Sequence, residues 1–237
     1  CSLIRLGLYY LDAGLLPLPA AYLGLTEPCD GLAGVYEALR THREWRNVPS
    51  FGIDVPYWSD DFSIDYVAGE IKRMVEFVSK HTGKTLDINR LREVITESNE
   101  HYRLWQEYND LRRCKPSPHA YLLAQSCFLM TNFEGAGRPE HTPWFRDLVA
   151  DAERRVRENQ PEVPNQRIRV LWFDLQPIYF NLIAPWMEQE WGVSVVMDMV
   201  SYCPYTLIDT STEDSMFRGL AKRLIPTLGT DEFFGLH

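Results

Sequence analysis

The chain has 237 residues, enough for one large domain or two modest lobes with a real core. It is 45% hydrophobic and 13% aromatic, which is the composition of a globular chain rather than a disordered one. With 33 acidic against 24 basic residues the formal charge is −9, which speaks against nucleic acid as a partner, because phosphate contacts need clustered Lys and Arg.

In chain order, residues 2–16 read as a helix with Leu3, Ile4, Leu6, Leu8, Leu11 and Leu15 on one face, stopped by Pro17 and Pro19. The apolar run 20–26 suits a buried parallel strand. After the turn Glu27-Pro28-Cys29-Asp30-Gly31, Leu32, Val35, Tyr36 and Leu39 recur at helical spacing, and 48–55 is the next strand. Strand, helix and strand in this order predict a βαβ unit. Two long amphipathic helices follow over 60–82 and 87–113, with Asp87 as N-cap of the second. Further helices are expected over 119–131 and 142–158, the latter opening on Thr142-Pro143.

The α/β pattern returns with a strand at 168–173, Asp174 at its end, a helix over 178–190 closed by Gly192, and a strand over 193–199 leading to Cys203-Pro204. A last helix is expected over 212–224, with Ser211 and Asp214 as an approximate capping pair. The expected architecture is therefore α/β: a first Rossmann-like lobe with a parallel sheet (1–58), a helical middle (59–164) and a second Rossmann-like lobe (165–237). Two strands are few for an independent sheet, so the second lobe reads as truncated. The start at Cys1 without Met points the same way, to a piece of a longer chain. No apolar run approaches the length of a membrane span, and no secretory signal is visible.

Ligands of open α/β sheets collect at the carboxyl ends of the strands. That rule marks Cys29, Asp54, Asp174 and Cys203. Cys29 follows a strand and precedes a helix, and Cys1 stands just ahead of the first helix. The partial positive charge and unpaired N–H groups of a helix N-terminus favour thiolate over thiol. Two such cysteines from separate loops could hold an iron–sulfur cluster. A lone Cys is as a rule a small core residue, so spacing alone leaves both readings open. Five cysteines without a C-x-x-C pair fit a reducing cytosol rather than a disulfide framework, and Cys114 and Cys127 read as structural. His101 and His119 read as surface or helix-packing residues, the stripe through Trp105 and Tyr108 as core, and Glu27 as a solvated loop carboxylate or a general acid/base. No dinucleotide-binding, P-loop or nucleophile-elbow motif is present.

Cys1-Ser2 and Glu27-Pro28-Cys29-Asp30-Gly31 resemble the first two cysteine motifs of the benzoyl-CoA reductase / 2-hydroxyacyl-CoA dehydratase family. Phe51-Gly52-Ile53-Asp54-Val55-Pro56-Tyr57 looks like the next strand and turn of that family. Thr82-Gly83-Lys84, Leu91-Arg92-Glu93-Val94-Ile95, Leu111-Arg112-Arg113 and Val170-Leu171-Trp172-Phe173-Asp174 are similar to its later segments, as is Asp209-Thr210-Ser211-Thr212, in the same order. The resemblance implies one of two homologous subunits of an oxygen-sensitive enzyme with a [4Fe–4S] cluster. It implies Cys1 and Cys29 as the first two cluster ligands, with the third cysteine further on than this chain reaches. It also implies an ATP-dependent electron-donating activator protein. The implied chemistry is delivery of one low-potential electron to an acyl-CoA thioester, whose carbonyl becomes a ketyl radical, followed by dehydration or ring reduction. The Pro-Cys-Asp-Gly and Leu-Trp-Phe-Asp wording leans toward a reductase-like subunit. The alternative is a non-catalytic homologous partner subunit that lacks a complete cluster.

Overall fold

The computed structural model describes residues 2–25, 30–56, 58–173, 182–198, 201 and 206–227. Cys1, Glu27, Cys29, Asp174 and Cys203 lie outside the described residues. The fold is mixed α/β, as expected. Helix α1 (Ser2–Asp12), strand β1 (Tyr22–Leu25), helix α2 (Asp30–Thr41) and strand β2 (Ser50–Ile53) come first. The long helices α3 (Asp61–Thr82) and α4 (Ile88–Arg112) follow, then α5 (Tyr121–Leu129) and α6 (Thr142–Glu158). Strand β3 (Ile168–Trp172), helix α7 (Ile183–Trp191), strand β4 (Val193–Asp198) and helix α8 (Glu213–Thr227) complete the order.

Each pair of strands is parallel and joined through a helix. β1 pairs with β2 from Tyr22↔Ser50 to Leu25↔Ile53, and β3 with β4 from Ile168↔Val193 to Trp172↔Asp198, with a register shift after Val170. The chain divides into two compact units, residues 1–88 with 211–237, and residues 89–210. Helix α8 thus belongs with the first unit, whereas the sequence reading grouped it with the second strand pair. Its buried Met216, Phe217, Ala221 and Ile225 form the same kind of apolar stripe as the buried Ile64, Val67, Ala68 and Ile71 of α3, and the two helices pack together. Lys72 Nζ pairs with Asp214 Oδ1 at 3.2 Å, and Arg218 pairs with Asp61 at 3.0 Å and with Asp65.

Several helix ends are set by local chemistry. The Asp60 side chain accepts from Ser63 N at 2.8 Å, and Gly83 closes α3 in the left-handed region (φ 71°). Helix α1 stops short of its expected end at residue 16, because the chain turns left-handed at Gly14 (φ 66°), ahead of the prolines. The α8 cap sits one residue later than the expected Ser211–Asp214 pair. Ser215 N donates to Thr212 Oγ1 (3.0 Å), and Thr212 N donates to Ser215 Oγ (3.1 Å), a reciprocal box. Gly192 closes α7 left-handed, as the sequence predicts.

In the first unit α1, α2 and the segment after α2 share a core of Leu11, Leu39 and Trp45, with Tyr22, Val35 and Tyr36 packed on it. Strand β1 meets α2 so closely at Gly24 that an added Cβ would lie 2.0 Å from the Tyr36 ring. The Tyr36 hydroxyl also accepts from Leu25 N at 3.1 Å, so this contact sets the carboxyl end of β1. Gly24→Ala must displace that ring. A loss of about 1–3 kcal/mol is expected in urea unfolding, the usual cost of overpacking, and a midpoint equal to that of the parent chain would count against the contact.

In the second unit Tyr102, Trp105 and Tyr108 of α4 pack against Ala124 and Cys127 of α5 and Phe145, Leu148, Val149 and Ala152 of α6, with Ala184 and Val195 completing the core. Trp105 and Tyr108 are fully buried, so the aromatic stripe is core. Among the described residues no helix is long and apolar enough to cross a membrane.

Candidate functional site

The carboxyl end of β2 runs into Asp54. The Tyr66 hydroxyl donates to Asp54 Oδ2 at 2.9 Å, and this bond holds the phenol above its usual range. Asp54 N donates to Glu70 Oε2 at 3.5 Å, and the buried Glu70 carboxylate is paired with Arg73. Asp54, marked by its strand-end position, is therefore held by two residues that stand four apart on α3.

The second unit carries a more deeply buried polar network, built at the carboxyl end of β4. Asp198 is 1% exposed and ends the strand. Its Oδ1 accepts from Ser201 N at 2.7 Å, and its Oδ2 lies 3.6 Å from Arg112 Nη2. Arg112, the last residue of α4, is itself buried. It donates to Asn109 Oδ1 (2.9 Å) and Val195 O (3.2 Å) and lies over the Tyr121 ring, 5.8 Å from its centroid. Asn109 Nδ2 donates to Ser201 O at 2.7 Å, closing the loop. The Tyr121 hydroxyl is close to the Asp198 carboxylate but short of hydrogen-bond geometry, and burial followed by that charge keeps the phenol protonated. Glu188 of α7 accepts from Tyr121 N at 2.8 Å, at the first residue of α5. Burial pushes the Glu188 carboxyl up to about 7.

Both candidate histidines are buried; neither is on the surface. His101 Nε2 meets Thr142 Oγ1 at 2.8 Å, Thr142 donates on to Glu97, and the imidazole stacks on Phe145 at 4.9 Å. Burial, the larger influence, lowers the His101 pKa against the pull of Glu97. His119 lies between the Tyr108 hydroxyl (3.3 Å) and Asp151 (2.9 Å). Arg155, then His119, hold the Asp151 carboxyl far below the usual carboxylate range. Among the described residues no group of three or more His, Cys, Asp or Glu is arranged to hold a metal ion. Cys127 is fully buried in the core, and burial pushes its thiol up to about 12, which disfavours the thiolate that binds iron. Cys114 is free and partly exposed. The two cysteines expected as ligands, Cys1 and Cys29, directly precede Ser2 of α1 and Asp30 of α2 but lie outside the described residues.

Sequence reasoning reached Asp54 and missed Asp198. The rule that marked Asp54 applies equally to Asp198, but the apolar run reads through to Met199 and hides the carboxylate inside the strand. The buried pairings of Arg112 and Glu188 left no local signal, because their partners are 83 and 67 positions away.

The arrangement is that of an α/β protein built on parallel strand–helix–strand units, with polar side chains gathered where the strands end. Its family can be stated more narrowly. The chain belongs to the family of the 2-hydroxyglutaryl-CoA dehydratase D-component, whose model matches residues 1–230. No curated protein matches it. Membership places the chain among components of dehydratases of the 2-hydroxyacyl-CoA type and implies a partner component.

Proposed function

We propose that this chain is a subunit of an oxygen-sensitive 2-hydroxyacyl-CoA dehydratase, with Cys1 and Cys29 as two thiolate ligands of a [4Fe–4S] cluster. The observation that carries the reading is the match of the dehydratase-component family along residues 1–230, which includes both cysteines. Two features support the ligand assignment. Each cysteine directly precedes the first residue of a helix, where N–H groups and the helix dipole stabilise a thiolate. Those two helices share one core, through Leu11 of α1 and Leu39 of α2. Of the two described cysteines, Cys127 is excluded by its burial.

A low-potential cluster would supply single electrons to the acyl-CoA thioester. The chain's own part is to hold the helices that present the two thiols and to shield the site from water. Tyr36 fixes the end of β1, three residues ahead of Pro28-Cys29. Two thiolates leave the remaining coordination to other ligands, in keeping with a partner subunit and an ATP-dependent activator as electron donor.

Anaerobic purification followed by iron and acid-labile sulfide analysis tests the reading. The protein with its partner component is expected to be brown, with iron and sulfide in equal amounts, and Cys29→Ala is expected to lose most of both. A chain that stays colourless when purified by itself under the same conditions, while its complex with the partner component is brown, assigns the chain to the non-catalytic partner role instead. Iron that persists in Cys1→Ala and Cys29→Ala removes the ligand assignment.

A further inference from the structure

We propose that His101 is an acid-sensitive latch in the second unit: as a neutral imidazole it ties the start of α6 to α4, and on taking up a proton it releases that end. The hydrogen bonds fix which ring nitrogen carries the proton. Thr142, the first residue of α6, donates its hydroxyl proton to the Glu97 carboxylate, which can only accept. Toward His101 the Thr142 oxygen therefore accepts, and the donor 2.8 Å away is Nε2–H. A neutral imidazole has one N–H, so His101 Nδ1 is a bare lone pair. That atom is buried and has no hydrogen-bond partner among the described residues. The neighbouring His141 also has a buried Nδ1 without such a partner. Gly135 packs on this second nitrogen so closely that an added Cβ would lie 2.7 Å from it.

The surroundings set the response to acid. The His101 side chain is 0% exposed and stacks on Phe145 of α6. Burial opposes the imidazolium most. Glu97, 3.8 Å from Nε2, favours it, His141 repels it, and Glu100, the preceding residue, favours it. Glu100 is itself engaged by Arg103 of α4 and Arg146 of α6. The folded chain thus holds His101 neutral at a pH where the unfolded chain has taken up a proton. Stability from this residue is complete above about pH 6.5, the ordinary histidine value, and is lost as the pH falls below it. The loss falls on the start of α6, which rests on the short turn Pro139–His141, and whose capping residue His141 makes no capping hydrogen bond with its side chain.

The test uses the full chain with nitrogen-15 in its histidines. Long-range proton–nitrogen correlation spectra report the protonation of each ring nitrogen, and the signals absent from His101→Gln belong to His101. At neutral pH His101 is expected to carry its proton on Nε2, with Nδ1 bare. It is expected to stay mainly neutral at about pH 6, where an ordinary histidine is mostly charged. Hydrogen exchange of the peptide 139–146, corrected for intrinsic pH dependence, reads the latch itself. Glutamine keeps a donor for Thr142 and takes up no proton. Opening of this peptide in the parent, relative to His101→Gln, is expected to rise by up to about tenfold for each pH unit below about 6.5. A peptide from α3, in the first unit, is expected to show no such difference. His101→Leu supplies the same comparison where the glutamine variant does not fold. A proton on Nδ1 at neutral pH, or exchange in 139–146 that rises equally in parent and variant, overturns the latch. Neither readout uses iron, so the latch and the cluster assignment fail or stand separately.

Discussion

Arg112→Ala is expected to destabilise the second unit by about 3–5 kcal/mol, the cost of leaving a buried charge without its partner. The Arg112 guanidinium is 3% exposed and faces Asp198, whose side chain is 1% exposed, at 3.6 Å. It also donates to Val195 O and Asn109 Oδ1, so its loss strands two acceptors and takes the countercharge from the Asp198 carboxylate in one step. Val195 and Asp198 both belong to β4, and Asn109 to α4, so the guanidinium ties the end of the helix to the strand. Replacing both charges tests the origin of the effect. Arg112→Met with Asp198→Leu removes the desolvated pair together, and the double variant is expected to recover most of the stability lost in Arg112→Ala. Guanidinium unfolding of the three proteins decides the matter. A loss below about 1 kcal/mol in Arg112→Ala would falsify the view that this pair organises the carboxyl end of β4.

Glu188→Gln is expected to change how stability depends on pH. Burial raises the Glu188 carboxyl from the usual 4.5 to about 7, with the Tyr121 N–H opposing and Glu162 adding repulsion. A carboxyl raised in the folded chain holds its proton there after the unfolded chain has lost it. The stability it contributes is therefore complete below about pH 4.5, and it declines as the pH rises toward about 7. At about 1.4 kcal/mol for each unit, the decline amounts to about 3 kcal/mol. Glutamine keeps a carbonyl oxygen for Tyr121 N, now 2.8 Å from the carboxylate, and carries no charge. The variant is expected to match the parent near pH 4.5 and to exceed it by up to about 3 kcal/mol above pH 7. Subtracting the two stability curves removes the contribution of every other titrating group. Curves that stay parallel from pH 4.5 to 8 would show that Glu188 titrates alike folded and unfolded.

Much of the fold is legible along the chain. The apolar runs at 20–26, 48–55, 168–173 and 193–199 contain the four strands found among the described residues, and the amphipathic stretches contain the helices. Asp60 caps the start of α3 through its side chain, and Gly83 and Gly192 close α3 and α7 in the left-handed region, all through chemistry that needs only neighbouring residues. The strand-end rule led to Asp54, and helical spacing placed Trp105 and Tyr108 in the core. The family was legible for the same reason, since its motifs are short local wordings met in a fixed order.

Other features depend on pairings across the chain. The stripe of Met216, Phe217, Ala221 and Ile225 says that one face of α8 is buried, but the partner is α3, about 150 residues earlier. His101 and His119 could have been surface residues until Thr142 and Asp151 were brought against them. Arg112 and Asp198 are ordinary charged residues in sequence and become a buried pair only when β4 lies against the end of α4. The sequence by itself determined the segments, the Gly192 cap and the family, because hydrophobic period and backbone chemistry act over a few residues. Only the tertiary structure decided which faces meet and which charges lose water, because burial belongs to pairs of distant segments.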